Sequence, residues 1–258
     1  MAYESGLTMS LVTVIRDVYR LDERRGLRDA LRVLFPTGGY GWHPSGVYCF
    51  WDPETRDVLY VGLATNIMRR FAQHNGLAGP SIKGNKQREI DEWFTEHPRL
   101  GYSIIVQSAA VVILGVDIPS EIIATAEGQL LEAHRQCFGV LPPWNAMGGS
   151  TFGATQAGPL SPGYFLLLTG RADNLLIARR TIRQLAAEPE SVFHEMTLHG
   201  ARMHALHRHR KTGGVGDDEI LTSLTVLAQD PLRDHPVRHI ALVESGYLML
   251  DAPHPEAL

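Results

Sequence analysis

The sequence predicts a mixed α/β chain of the α+β kind, with a small three-stranded sheet flanked by helices. Residues 46–51 and 58–62 are rich in β-branched and aromatic side chains, and Asp52-Pro53-Glu54-Thr55-Arg56-Asp57 between them is turn chemistry, so the pair reads as a β-hairpin. Residues 101–114 supply a third β-rich run. Around these runs apolar residues recur at helical spacing.

Taken in order, residues 7–35 read as two helices. Leu11, Val14, Ile15, Val18 and Leu21 make one stripe, and Leu27, Ala30, Leu31 and Leu34 make another that Pro36 and Gly38-Gly39 close. In the hairpin, a turn centred near Glu54 makes Tyr48 and Tyr60 cross-strand neighbours on one face. Gly62 ends the second strand, and Thr65 is the expected N-cap of a helix running to His74. On that helix Ile67, Arg70, Phe71 and His74 stand at i, i+3, i+4 and i+7, so a guanidinium and an imidazole share the face that docks onto the sheet. A loop at 81–85 leads into a helix at about 86–97 with Ile90, Trp93 and Phe94 apolar, and the strand 101–114 follows.

Residues 119–137 read as an amphipathic helix with Gly139 after its end. Glu127 has Ile123, Ala124, Leu130 and Leu131 three and four positions away, which puts its carboxylate in the apolar stripe. A half-buried carboxylate costs several kcal/mol unless a cation or hydrogen bonds satisfy it, and a divalent metal would do so. Gly128 beside it weakens a helix interior, which points to close approach of another backbone or a substrate. Leu141-Pro142-Pro143-Trp144-Asn145 comes next, then a Gly/Ser/Thr/Pro-rich linker or ordered loop at 146–162. Beyond it the pattern predicts helices near 171–187, 191–209 and 217–229 and a hairpin at 239–250.

Gly46-Val47-Tyr48 followed by Tyr60-Val61-Gly62 resembles the paired signature of the GIY-YIG endonucleases, with valine for isoleucine in both. The resemblance covers about residues 44–150. It implies a catalytic arginine eight residues after the second glycine, Arg70 rather than Arg69, a histidine four residues later, His74, a metal-binding glutamate, Glu127, and an asparagine after proline, Asn145. Singly, each of these residues has an ordinary structural use, since strand tyrosines pack cores and long side chains of helices rest on surfaces. Their joint order and spacing carries the resemblance.

The activity implied is metal-dependent hydrolysis of DNA phosphodiesters, with one Mg²⁺ or Mn²⁺ at Glu127. Arg70 would contact the scissile phosphate and Tyr48 would act as general base, with His74 as the rival base; Tyr60 and His74 would orient water or phosphate, and Asn145 would position the glutamate or the base. A restriction-like or anti-invader enzyme is favoured, because two distant cysteines, Cys49 and Cys137, cannot supply the zinc-bearing tail of a homing enzyme. A structure-selective repair or recombination nuclease, and a catalytically silent DNA-binding protein, are the alternatives. A single site cuts one strand, so a double-strand break calls for a homodimer or sequential nicking, and a dimer is expected.

Composition bounds the setting. At 258 residues and 44% hydrophobic, the chain suits one nuclease domain at 44–150, an N-terminal helical extension at 1–43 and a C-terminal extension at 151–258. The cysteines make no disulfide framework, and no stretch reads as a signal peptide or membrane span, so a cytoplasmic protein without membrane contact is expected. Net charge is −4, yet no carboxylate occurs between Asp57 and Glu89, where Arg69, Arg70, Lys83, Lys86 and Arg88 lie. These would attract phosphate. Residues 171–211 carry eight Lys/Arg against four Asp/Glu, and Arg179, Arg180 and Arg183 are candidate contacts to the DNA backbone.

Overall fold

The hairpin of the signature sits inside a four-stranded antiparallel sheet in the computed structural model, which describes residues 12–35, 42–79, 84–108, 120–157, 165, 168–169, 177–188 and 190–195. Strands β1 (Val12–Tyr19), β2 (Trp42–Trp51), β3 (Val58–Ala64) and β4 (Leu100–Ser108) run in the order β1-β4-β2-β3. The sheet is therefore one strand wider than the sequence predicts.

The extra strand is β1, which replaces the first of the two expected N-terminal helices. Its apolar stripe fits a helical period, but Thr13, Arg16 and Asp17 between the stripe positions are as buried as Ile15. Burial on both faces removes the alternation that would mark a strand, and the β-branched run Val12-Thr13-Val14-Ile15 then decides the conformation. After a short 3₁₀ turn (Leu21–Glu23), the second expected helix forms as α1 (Arg24–Leu34), burying Leu27, Ala30, Leu31 and Leu34.

β2 starts at Trp42, earlier than expected, with an irregular register up to Gly46 around Pro44, which has no N–H to give to a ladder. In the hairpin Tyr48 pairs with Gly62 and Phe50 with Tyr60, and a bulge follows at Phe50/Trp51. The turn centre thus lies one residue later than expected, and Tyr48 and Tyr60 are diagonal rather than direct neighbours. Because side chains alternate with period two, both still project from the same face, with ring centroids 5.9 Å apart. Gly46 fits because a Cβ there would stand 2.3 Å from the Ile105 carbonyl oxygen of β4.

Two apolar layers enclose the sheet. On one face Ile15, Tyr19, Tyr48, Phe50, Tyr102 and Ile104 pack with α1, α2 (Ile67–His74) and α3 (Gln87–Glu96). On the other, Val14, Val47, Cys49, Trp51, Val61 and Ile105 pack with Ile123, Leu130 and Leu131 of α4 (Ser120–Phe138), which ends before Gly139 at φ +78°. Central β2 is covered on both sides, which is why 47–51 read as an unbroken apolar run.

A short helix, α5 (Thr151–Thr155), forms inside the expected linker and crosses α4 at Gly128, where a Cβ would meet the Ser150 carbonyl oxygen at 2.4 Å. The close approach expected at Gly128 is thus to another backbone. Ile177 bridges Val14 of β1 in parallel, and α6 (Ile182–Ala187) packs on α1, so the helix expected over 171–187 is helical only from 182 among the described residues. The expected stretches 109–114, 171–176, 196–209 and 217–229 and the hairpin at 239–250 lie outside the described residues, as does Lys83. Among the described residues no helix is long and apolar enough to cross a membrane.

Candidate active site

The α2 helix starts at Asn66, whose side chain accepts the Arg69 N–H at 2.8 Å and takes the capping role expected of Thr65. Ile67 and Phe71 are fully buried and seat α2 on the sheet. That docking brings Arg70 and His74 over the two tyrosines. His74 Nε2 lies 2.6 Å from the Tyr48 hydroxyl, and Arg70 Nε donates to the same oxygen at 3.3 Å. Tyr48, Tyr60, Arg70 and His74 therefore form one cluster.

The hydrogen bonding of His74 fixes its tautomer. Its Nδ1 accepts the Lys86 backbone N–H at 2.8 Å, so in the neutral ring the proton sits on Nε2 and is donated to Tyr48. Burial, with the charges of Arg70 and Lys86 nearby, depresses its pKa to about 3. At neutral pH His74 is a donor. The Tyr48 oxygen thus receives two N–H groups, an arrangement that favours phenolate. Burial opposes this and, with Tyr60 beside it, holds the phenol well above its ordinary range, while Arg70 pulls the other way.

Around this centre Arg70 Nη2 donates to the Gly84 carbonyl at 2.7 Å and Nη1 to Gln73 at 3.2 Å. The Lys86 ammonium lies 5.4 Å over the Tyr60 ring and pairs with Glu89 at 3.0 Å. Gly62 is required by the closeness of the phenols, since a Cβ there would stand 2.7 Å from the Tyr48 oxygen and 2.6 Å from the Tyr60 ring.

Glu127 and Asn145 meet the hairpin elsewhere, at the outer edge of β3. Asn145 Oδ1 accepts the Val61 N–H at 2.9 Å and its Nδ2 donates to the Val61 carbonyl at 2.8 Å, while the Trp144 N–H donates to Leu59 at 2.9 Å. The Leu63 N–H goes to Glu127. Three alternate residues of an edge strand are thereby satisfied, as an unpaired edge requires. Asn145 holds the backbone of the second tripeptide rather than the glutamate or Tyr48.

Glu127 suits a hard cation. Its carboxylate is half-buried, and burial raises its pKa against the pull of the Leu63 N–H, as for a carboxylate without a neighbouring cation. Gly149, at φ +69°, keeps one flank clear, because a Cβ would approach Glu127 Oε2 to 3.1 Å. Among the described residues no group of three or more His, Cys, Asp or Glu side chains gathers. A cation held by Glu127 would take its other oxygens from water and substrate.

Of the expected phosphate contacts, Arg69 is exposed on α2, and Arg88 is an exposed partner of Glu92 at 3.7 Å. Arg180 pairs with Glu188 at 3.5 Å, and the Arg179 N–H donates to Glu195. Arg183 has an internal task. It donates to buried Asp17 from Nη2 at 2.9 Å and from its backbone N–H at 3.0 Å, and pairs with Glu23 at 3.1 Å, so it ties α6 to β1. Sequence reasoning missed the backbone of Gly84 and Lys86. The available signal was the turn chemistry of Gly84-Asn85, where the glycine takes φ +81° in the structure.

No protein-family model, no curated protein and no solved structure matches the chain.

Proposed function

We propose that the chain is a GIY-YIG-type endonuclease that hydrolyses DNA phosphodiesters with Mg²⁺ or Mn²⁺. The observation that carries the reading is the Tyr48 oxygen, receiving N–H groups from His74 and Arg70 beside Tyr60. An ordinary core tyrosine makes one hydrogen bond and needs no cation; this one has a guanidinium at its oxygen.

Hydrolysis needs an activated water, neutralisation of charge on the phosphorane and a proton for the leaving oxygen. Tyr48, ionised to phenolate beforehand, takes the proton from water and becomes phenol. Arg70 Nε and His74 Nε2–H hold the phenolate until then, so His74 serves as donor and not as the base. Arg70 brings five N–H donors, of which three make the hydrogen bonds to Tyr48, Gln73 and Gly84, and its charge would stabilise the phosphate. Glu127 would hold the metal, which supplies Lewis-acid stabilisation of the phosphoryl oxygens when bound. Asn145 keeps β3, and with it Tyr60, in place.

Proposed too are a restriction-like or anti-invader role, cytoplasmic residence and dimerisation for double-strand cleavage. The catalytically silent DNA-binding alternative draws on one observation, that Tyr48 is only 1% exposed. Incubating supercoiled, linear and branched DNA with Mg²⁺ and the wild-type protein, Tyr48→Phe, Arg70→Ala and Glu127→Ala separates the two. Cleavage by wild type alone supports the enzyme, and DNA binding without cleavage on every substrate supports the silent reading.

A further inference from the structure

We infer that the turn Gly84-Asn85-Lys86, entering α3, is the positioning element of the site, using one backbone carbonyl and one backbone amide to set the orientation of Arg70 and the tautomer of His74. This rests on the nuclease reading for its catalytic meaning.

The two contacts are 2.7 Å from Arg70 Nη2 to the Gly84 carbonyl and 2.8 Å from the Lys86 N–H to His74 Nδ1. They reach the two side chains that both address the Tyr48 oxygen. One turn therefore holds both donors from behind. Gly84 has φ +81°, a conformation that favours glycine, so the direction of its carbonyl depends on that residue. Its position is open enough that only Arg70 Nη2, at 3.9 Å, comes within reach of a Cβ, so the glycine answers to backbone conformation and not to crowding. The turn is anchored in its own right. Ile90 of α3 is fully buried, and Lys86 bonds Glu89 one helical turn on.

The chemical consequence follows from proton counting. An amide can only donate, so Nδ1 must accept, and the single proton of the neutral ring is confined to Nε2. With Nε2–H and Arg70 Nε both directed at its oxygen, Tyr48 must direct its own hydrogen elsewhere, away from His74. Without the Lys86 amide, the ring could carry its proton on Nδ1 and take the Tyr48 hydrogen on Nε2, which would make His74 a base. The charged groups recorded at His74 are Arg70 on its own helix and Lys86, with Tyr48 facing it from β2 and Tyr60 from β3. The turn thus determines which of the two residues can accept a proton.

The test is nitrogen-15 NMR of the imidazole rings, with His74→Gln to assign the signal, together with pH–rate profiles. In wild type His74 shows a protonated Nε2 and a bare Nδ1 from about pH 5 to about pH 8, read without DNA or metal. Lys86→Ala keeps the amide and leaves the tautomer as in wild type. Lys86→Pro removes the amide hydrogen; the Nδ1-protonated tautomer then gains population, kcat falls by of order a hundredfold, and a His74 inflection enters the acid side of the profile, still below the ordinary imidazole value because the ring stays buried. Wild-type His74 protonated at Nδ1, or a folded Lys86→Pro with unchanged tautomer and profile, overturns the inference. If Lys86→Pro does not fold, the spectra of wild type and Lys86→Ala decide. A correct tautomer in a protein that cuts no DNA would instead reject the nuclease reading.

Discussion

At the scale of the residue, Gly62 and His74 carry the sharpest consequences. Gly62→Ala places a methyl 2.7 Å from the Tyr48 oxygen, which forces both phenols to shift. The expected outcome is a loss of about 1–3 kcal/mol in urea unfolding, typical of overpacking, with cleavage reduced much more than stability. Intact cleavage would show that the phenol positions do not matter. His74 stays neutral down to about pH 3, whereas in the unfolded chain it protonates below its ordinary value of 6.5. The folded protein then binds fewer protons, so stability present above pH 6.5 is lost as pH falls toward 3, by about 1.4 kcal/mol per pH unit from this group. Urea unfolding at about pH 7 and about pH 5 checks this, with His74→Gln predicted to show the smaller drop. For the same reason the wild-type pH–rate profile should have no His74 limb near neutrality. The rate should instead climb with pH into the alkaline range as Tyr48 ionises to the base, because burial raises its pKa. Tyr48, Tyr60, Arg70 and His74 were legible as a cluster because a hairpin and the next helix lie close in sequence, and periodicity fixes the faces of both.

Elements show where sequence reasoning ran out. Glu127 was rightly placed as a half-buried carboxylate of an amphipathic helix, but its partner is a backbone N–H of β3, and backbone partners leave no side-chain signature. Asn145 likewise reads as a turn residue, while its amide completes the edge of β3 through both backbone groups of Val61. Asn145→Ala leaves that pair unsatisfied and should cost about 1–3 kcal/mol. Asn145→Asp keeps the acceptor for the Val61 N–H and should cost less. Equal stability of Asn145→Ala and wild type in thermal unfolding would remove the edge role. On the opposite side of the sheet, Arg183 neutralises Asp17, which is 1% exposed. Arg183→Ala strands a buried carboxylate and should cost about 3–5 kcal/mol, loosening α6 from β1. The positive run at 171–211 suggested DNA for this arginine, because charge counts cannot tell which carboxylate a guanidinium meets 166 residues away. A salt-dependent DNA affinity lowered by Arg183→Ala at unchanged fold would restore that reading.

For the whole molecule, the sheet is wider and its first strand earlier than the sequence implies, since β1 is hidden by burial on both faces. The sandwich is what matters to the site. α2 and α3 cover one face and present Arg70 and His74, while α4 covers the other and brings Glu127 to the edge of β3. The two halves of the proposed site are joined through β3, whose residues 60–63 carry Tyr60, the Asn145 contact, Gly62 and the Glu127 contact in succession. The most direct test of the central claim is Mg²⁺-dependent cleavage of DNA by wild type and by Tyr48→Phe, which deletes only the oxygen on which His74 and Arg70 converge. The prediction is cleavage by wild type and a loss of at least about a hundredfold in Tyr48→Phe, with the variant still folded by circular dichroism. Undiminished cleavage by Tyr48→Phe, or no cleavage by wild type on supercoiled, linear or branched DNA with Mg²⁺ or Mn²⁺, would contradict it.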